Sequence, residues 1–84
     1  MQSSFKIFTE EFETMEMPNG HIQIHNLSST GVIEVHVTPT DTEPDPLDRG
    51  VTIEPKEFLI HDHEPNYFLI CRARHDSVKA TVII

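Results

Sequence analysis

The sequence is poor in several things that would have narrowed its role. It has one cysteine, so no disulfide can form within the chain, which fits a reducing compartment. It has no tryptophan and only three glycines, with no glycine-rich loop to cradle a phosphate. No apolar run approaches the ~20 residues that a membrane-spanning helix needs. The N-terminus, MQSSFKIFTEEF, shows no basic region followed by a long apolar stretch, so neither export nor membrane association is expected. Basic residues are scarce: 6 Lys and Arg stand against 14 Asp and Glu, a formal charge of −8. A surface that acidic repels phosphate backbones, and direct nucleic-acid binding is not expected.

What the chain does have is alternation. Ile22 and Ile24, then Ile33, Val35 and Val37, then Val51 and Ile53 recur at spacing two. That period puts them on one face of pleated strands, with His21, Gln23, His25, Glu34, His36 and Thr52 on the other. Further strands are predicted over Ser3–Thr9, Phe58–His61, Tyr67–Arg74 and Val78–Ile84. The stretch EEFETMEM reads as a strand, with Met15 and Met17 inward, or as a helical turn. Residues 1–17 as a whole could instead form an arm reaching a neighbouring subunit. Leu27–Gly31 is a tight polar connection, which predicts a hairpin between residues 21–26 and 31–38. Pro39–Gly50, with its prolines and acids, reads as a surface loop. The expectation is one all-β domain over residues 1–84, a small antiparallel sandwich or barrel of seven or eight short strands, Ig-like or jelly-roll. Its apolar last strand is an aggregation hazard if it lies at a sheet edge, unless a partner or the rest of the fold covers it.

Six histidines invite a metal hypothesis. His21 and His25 share a strand face but lie roughly 13 Å apart, too far to share one ion. His61 and His63 could converge, which gives a small cupin-like metal-binding barrel as the alternative function. A catalytic site would need a third ligand, and Glu64–Pro65 follows where a cupin spacing would continue. No metal or cofactor is therefore expected. Asp41, Glu43, Asp45 and Asp48 suggest a calcium loop, but Pro46 and Thr52 occupy the positions where that loop needs glycine and an acid. Cys71 sits in an apolar run and reads as a buried small hydrophobe. Arg72 and Arg74 read as surface partners of Asp76. Ser28, Ser29 and Ser77 lack the context of a nucleophile, so no enzymatic activity is expected. His21, His25 and His36 are candidates for a contact that responds to pH.

The order I-x-I-x-N-L-S-S-T, V-x-V-x-P-T-D-T-E-P, G-V-x-I-E-P-K-E-F, Y-F-L-I-C-R-A, carried by residues 22–30, 35–44, 50–58 and 67–73, resembles small virion proteins of tailed bacteriophages, the capsid decoration or cement type. Lys56 stands where that family has a turn glycine. The resemblance implies a structural protein made in the host cytoplasm and located on the capsid surface. It further implies a homo-oligomer, a trimer by analogy, with the major capsid protein as partner. It transfers no functional residue. The stiff polar segments nominate the contacts: Phe5, Phe8 and Phe12 near the N-terminus, or Pro44, Asp45, Pro46 and Leu47 in the long loop.

Overall fold

Eight strands form where the alternation predicts them, and there is no helix among the described residues. In chain order they are β1 (Ser3–Phe8), β2 (Glu13–Met17), β3 (His21–Asn26), β4 (Ile33–Thr38), β5 (Val51–Ile53), β6 (Phe58–Asp62), β7 (Tyr67–Ala73) and β8 (Val78–Ile83). The computed structural model describes residues 3–17, 20–45, 47–48, 50–62 and 65–83, with the side chain of His61 outside the description. Two antiparallel four-stranded sheets face each other, in the orders β1-β8-β3-β6 (sheet A) and β2-β7-β4-β5 (sheet B). Strand 1 pairs with 8, 2 with 7, 3 with 6 and 4 with 5. The chain is thus a long hairpin folded on itself, the winding of a jelly roll and not that of an immunoglobulin sandwich.

The inward residues are those the period of two selects. Ile22, Ile24, Val78, Ala80 and Val82 from sheet A meet Met15, Met17, Ile33, Val35, Ile53, Leu69, Cys71 and Ala73 from sheet B, all buried. Burial pushes the Cys71 thiol well above its ordinary range, with Glu13 adding to the effect, so it stays protonated and inert. Val51, expected to face inward, is 56% exposed at the start of the edge strand β5.

Two expectations are corrected. Residues 21–26 and 31–38 do not form a hairpin: β3 and β4 lie in opposite sheets. Among consecutive strands, only β4 and β5 share a sheet. The cause lies in Asn26, which is fully buried. Its Nδ2 donates to the carbonyls of Gly31 (2.8 Å) and Ile53 (3.0 Å), and its Oδ1 accepts from Ser28 N–H (2.9 Å). These bonds turn the chain across the sandwich instead of back along the same sheet. The N-terminal segment is no arm, since β1 pairs along β8 and β2 along β7, and Lys6 Nζ reaches Glu13 Oε2 (2.5 Å) to tie the two sheets at that edge. The last strand is covered within the fold, one of the two coverings expected of it, because β8 runs between β1 and β3.

Lys56 takes the left-handed conformation, φ 67°, after Pro55 in a turn closed by Glu57 N–H to Glu54 O (3.0 Å). Glycine is the residue such a turn favours at that position. Lys56→Gly should therefore stabilise the fold by about 0.5 kcal/mol, despite the loss of the exposed Lys56 Nζ bond to Leu27 O. Lys56→Ala, which keeps the strain and loses the bond, should destabilise it. Thermal melts of the two variants must move in opposite directions for this account to hold.

Candidate functional site

The two outer faces of the sandwich differ in kind. On sheet A the register aligns Phe5, Thr81, His25 and Phe58 in one row across the four strands, and Ser3, Ile83, Gln23 and Ile60 in the next. Ile7 and Lys79 lie opposite each other beyond the first row, and His21 and Asp62 beyond the second. Phe58 is 71% exposed, Ile60 63%, Phe5 59% and Ile7 52%. The His25 ring lies against Phe58 at 4.4 Å between centroids. Only Lys79 and Asp62 carry formal charge among these residues, so an acidic chain presents a face nearly free of acids, with large apolar residues on its two edge strands and mostly neutral polar residues between them. Leaving such side chains in water forgoes ~1.5–3 kcal/mol each relative to full burial, and large apolar side chains gathered on one outer face mark it as a contact surface.

Sheet B is covered instead. Glu34, fully buried on its outer side, pairs through Oε2 with His36 Nε2 (2.7 Å). Its Oε1 accepts from Arg74 Nη1 (3.1 Å) and Arg72 Nη2 (3.3 Å). Phe12, from the turn between β1 and β2, lies under the Arg72 guanidinium at 4.3 Å and meets His36 edge-on at 6.0 Å. A Cβ on Gly50, at φ 56°, would come within 2.8 Å of the His36 ring and 2.4 Å of Val35 O, so the loop's return to β5 needs glycine there. Arg72 and Arg74 are thus bound to a buried carboxylate and are not the surface partners of Asp76. His36 is part of the same network and is withdrawn from any surface contact.

The predicted contacts divide. Phe5 belongs to the bare face. Phe8 does not reach the surface at all: at 1% exposure it fills the core, because β1 turns Phe5 and Ile7 outward and Phe8 inward. Phe12 is half-buried and engaged with Arg72 and His36. In the long loop Asp45 and Asp48 close their own turns, accepting from Leu47 N–H (2.9 Å) and Gly50 N–H (3.1 Å). Leu47 is 89% exposed, while half-buried Pro44 lines a cleft of about 540 Å³ with Val37, Thr42, Val51 and Leu59. Pro46 lies outside the described residues.

Of the histidines, His21 Nδ1 meets Asp62 Oδ1 (2.5 Å) and its Nε2 meets Gln23 Nε2 (3.1 Å). The proposed pair of His61 and His63 lies outside the description, His61 by its side chain and His63 entirely. Among the described residues no three His, Cys, Asp or Glu side chains are placed to hold a metal ion.

Sequence reasoning missed Ile7, Phe58 and Ile60. The available signal was two short strands, β1 and β6, with large apolar residues at both parities, which a single buried face cannot absorb. No family model matches the chain, and no curated protein or solved structure matches it.

Proposed function

We propose that the chain is a non-enzymatic structural protein of a tailed-phage particle, which decorates the capsid exterior and stabilises it by binding the assembled lattice. The observation that carries this reading is the bare outer face of sheet A, on which Phe5, Ile7, Phe58 and Ile60 stand exposed beside almost no charge. Such a face suits a lasting contact with a larger body better than turnover of a small molecule. The sequence resemblance names the body as a capsid. The jelly-roll winding is compatible but assigns nothing by itself, since capsid domains, lectins and cupins share it. The cupin alternative rests on His61 and His63, whose side chains lie outside the description, and the described core is apolar.

A ligand that binds only the assembled state stabilises it by mass action, RT ln(1 + [L]/Kd). Particles stripped of the chain should therefore rupture at lower temperature than decorated ones. Adding back the native chain should restore the rupture temperature, whereas a Phe58→Asp/Ile60→Asp variant with unchanged circular dichroism should not. Equal heat tolerance of stripped and decorated particles, or location of the chain on the tail, overturns the proposal.

A further inference from the structure

We propose that the cleft beside the long loop docks an extended, basic segment of another protein. The segment adds to β4 as a strand and sets one aliphatic side chain against Val37 and Leu59. The proposal rests neither on the outer face of sheet A nor on the capsid. It starts from a ladder that stops early. β4 pairs with β7 along its whole length, but with β5 only over Ile33, Glu34 and Val35. Residues 36–38 have no strand beside them on that side, and among the described residues no backbone bond joins them to the long loop. At about 3.3 Å per residue, this open stretch is roughly 10 Å long. An unpaired sheet edge accepts an added strand, whose main chain supplies the bonds that the sheet lacks.

The core reaches the surface at the same place. Val37, near the end of β4, and Leu59, on β6 at the edge of the other sheet, pack against the buried core and are themselves only half-buried. With Pro44 and Val51 they line the cleft of about 540 Å³. β5, three residues long, stops short of covering them. In a strand laid along residues 36–38, the residue level with Val37 turns to the same side as Val37, towards the core. That position calls for an aliphatic side chain. Its two neighbours turn outwards, and charge selects them. Residues 39–50 carry Asp41, Glu43, Asp45 and Asp48 against the single Arg49. The four acids are exposed, and Asp48 lines the cleft. Lysine or arginine on either side of the aliphatic residue therefore finds opposite charge. An acidic segment, or a second copy of this chain at −8, is repelled.

A free small molecule would use the apolar walls but leave the edge of β4 unpaired, whereas an extended segment uses the edge, the walls and the charge together. The contact is short, well below the ~1,200 Å² of a lasting interface. Weak binding is therefore expected, with a dissociation constant of about 100 μM that rises as salt screens the flanking charges.

Titration of the full chain with the peptide acetyl-TKVKT-amide, followed by NMR, tests it. The methyl signals of Val37, Val51 and Leu59 should shift together and saturate. The peptide TEVET, with its charges reversed, should bind about tenfold more weakly. TKSKT, whose serine forgoes the apolar contact, should also lose about tenfold. TKVKT methylated on every backbone nitrogen cannot form ladder bonds and should not bind. Thr42→Arg places a cation at the exposed rim of the cleft and should weaken TKVKT about fivefold with unchanged circular dichroism. Phe58→Asp/Ile60→Asp should bind TKVKT as the native chain does, which separates this site from the outer face of sheet A. No saturable shift at millimolar TKVKT, or shifts confined to other residues, overturns the proposal. So does undiminished binding of any of the three altered peptides or by Thr42→Arg, or loss of binding in the Phe58→Asp/Ile60→Asp variant.

Discussion

Glu34→Ala should lower the stability of the fold by about 3 kcal/mol, seen as a fall in Tm of about 15 °C for a chain of this size. Glu34 is wholly buried and pairs with His36, Arg72 and Arg74. Removing it takes away the buried carboxylate on which both guanidinium groups converge. Their side chains are 22% and 26% exposed, so they can turn partly towards water. That relief places the cost at the low end of what breaking a buried pair entails. Phe12 would also lose its seat, because the Arg72 guanidinium holds its ring. Glu34→Gln keeps the shape and the acceptor but not the charge, and should lose about half as much. Equilibrium denaturation with an unchanged slope gives the comparison. A loss below about 1 kcal/mol for the alanine variant would mean that the network adds little net stability, as some buried ion pairs do.

The strands were legible because a period of two is a local property. Ile22 and Ile24, Met15 and Met17, and Val78, Ala80 and Val82 all point where the alternation sends them. The winding was not legible, because it depends on which sheet each strand joins. Leu27–Gly31 has the length and polarity of a hairpin turn, and only the position of Asn26 against Ile53, remote in sequence, shows that it crosses the sandwich. Arg72 and Arg74 were read against Asp76, their neighbour in sequence, while their partner Glu34 lies opposite Arg72 on the adjacent strand. The bare face was legible only in part, through Phe5. β1 offers Phe5, Ile7 and Phe8, and nothing local decides which parity turns inward. That choice follows from the pairing with β8, where Val78 opposite Phe8 is buried and Thr81 opposite Phe5 is not.

Asn26→Ala should cost about 3 kcal/mol, as much as the loss of Glu34, although it removes no charge. The side chain joins three backbone groups from two crossings: Ser28 N–H and Gly31 C=O between β3 and β4, and Ile53 C=O at the end of β5. Its own N–H donates to Glu57 O (3.0 Å), so the residue fixes the β3–β4 connection against the β5–β6 turn. Alanine leaves those three groups without a partner in a place that Val78 closes, since even a Cβ on Gly31 would meet Val78 Cγ2 at 2.4 Å. Little room remains for a water to replace the amide. Each unsatisfied buried group costs ~1–3 kcal/mol, and partial rearrangement of the exposed residues Ser29 and Thr30 lowers the sum. Asn26→Asp should be worse, because it sets an anion against the carbonyls of Gly31 and Ile53 in place of a donor. Ser28→Ala, which removes only the hydroxyl that accepts from Thr30 and Gly31 N–H, should cost about 1 kcal/mol. The ranking Asp, then Alanine at position 26, then Ser28→Ala, measured by denaturation midpoint, is the test. If Asn26→Ala were no more costly than Ser28→Ala, the crossing would be held by the strands on either side and not by the amide between them.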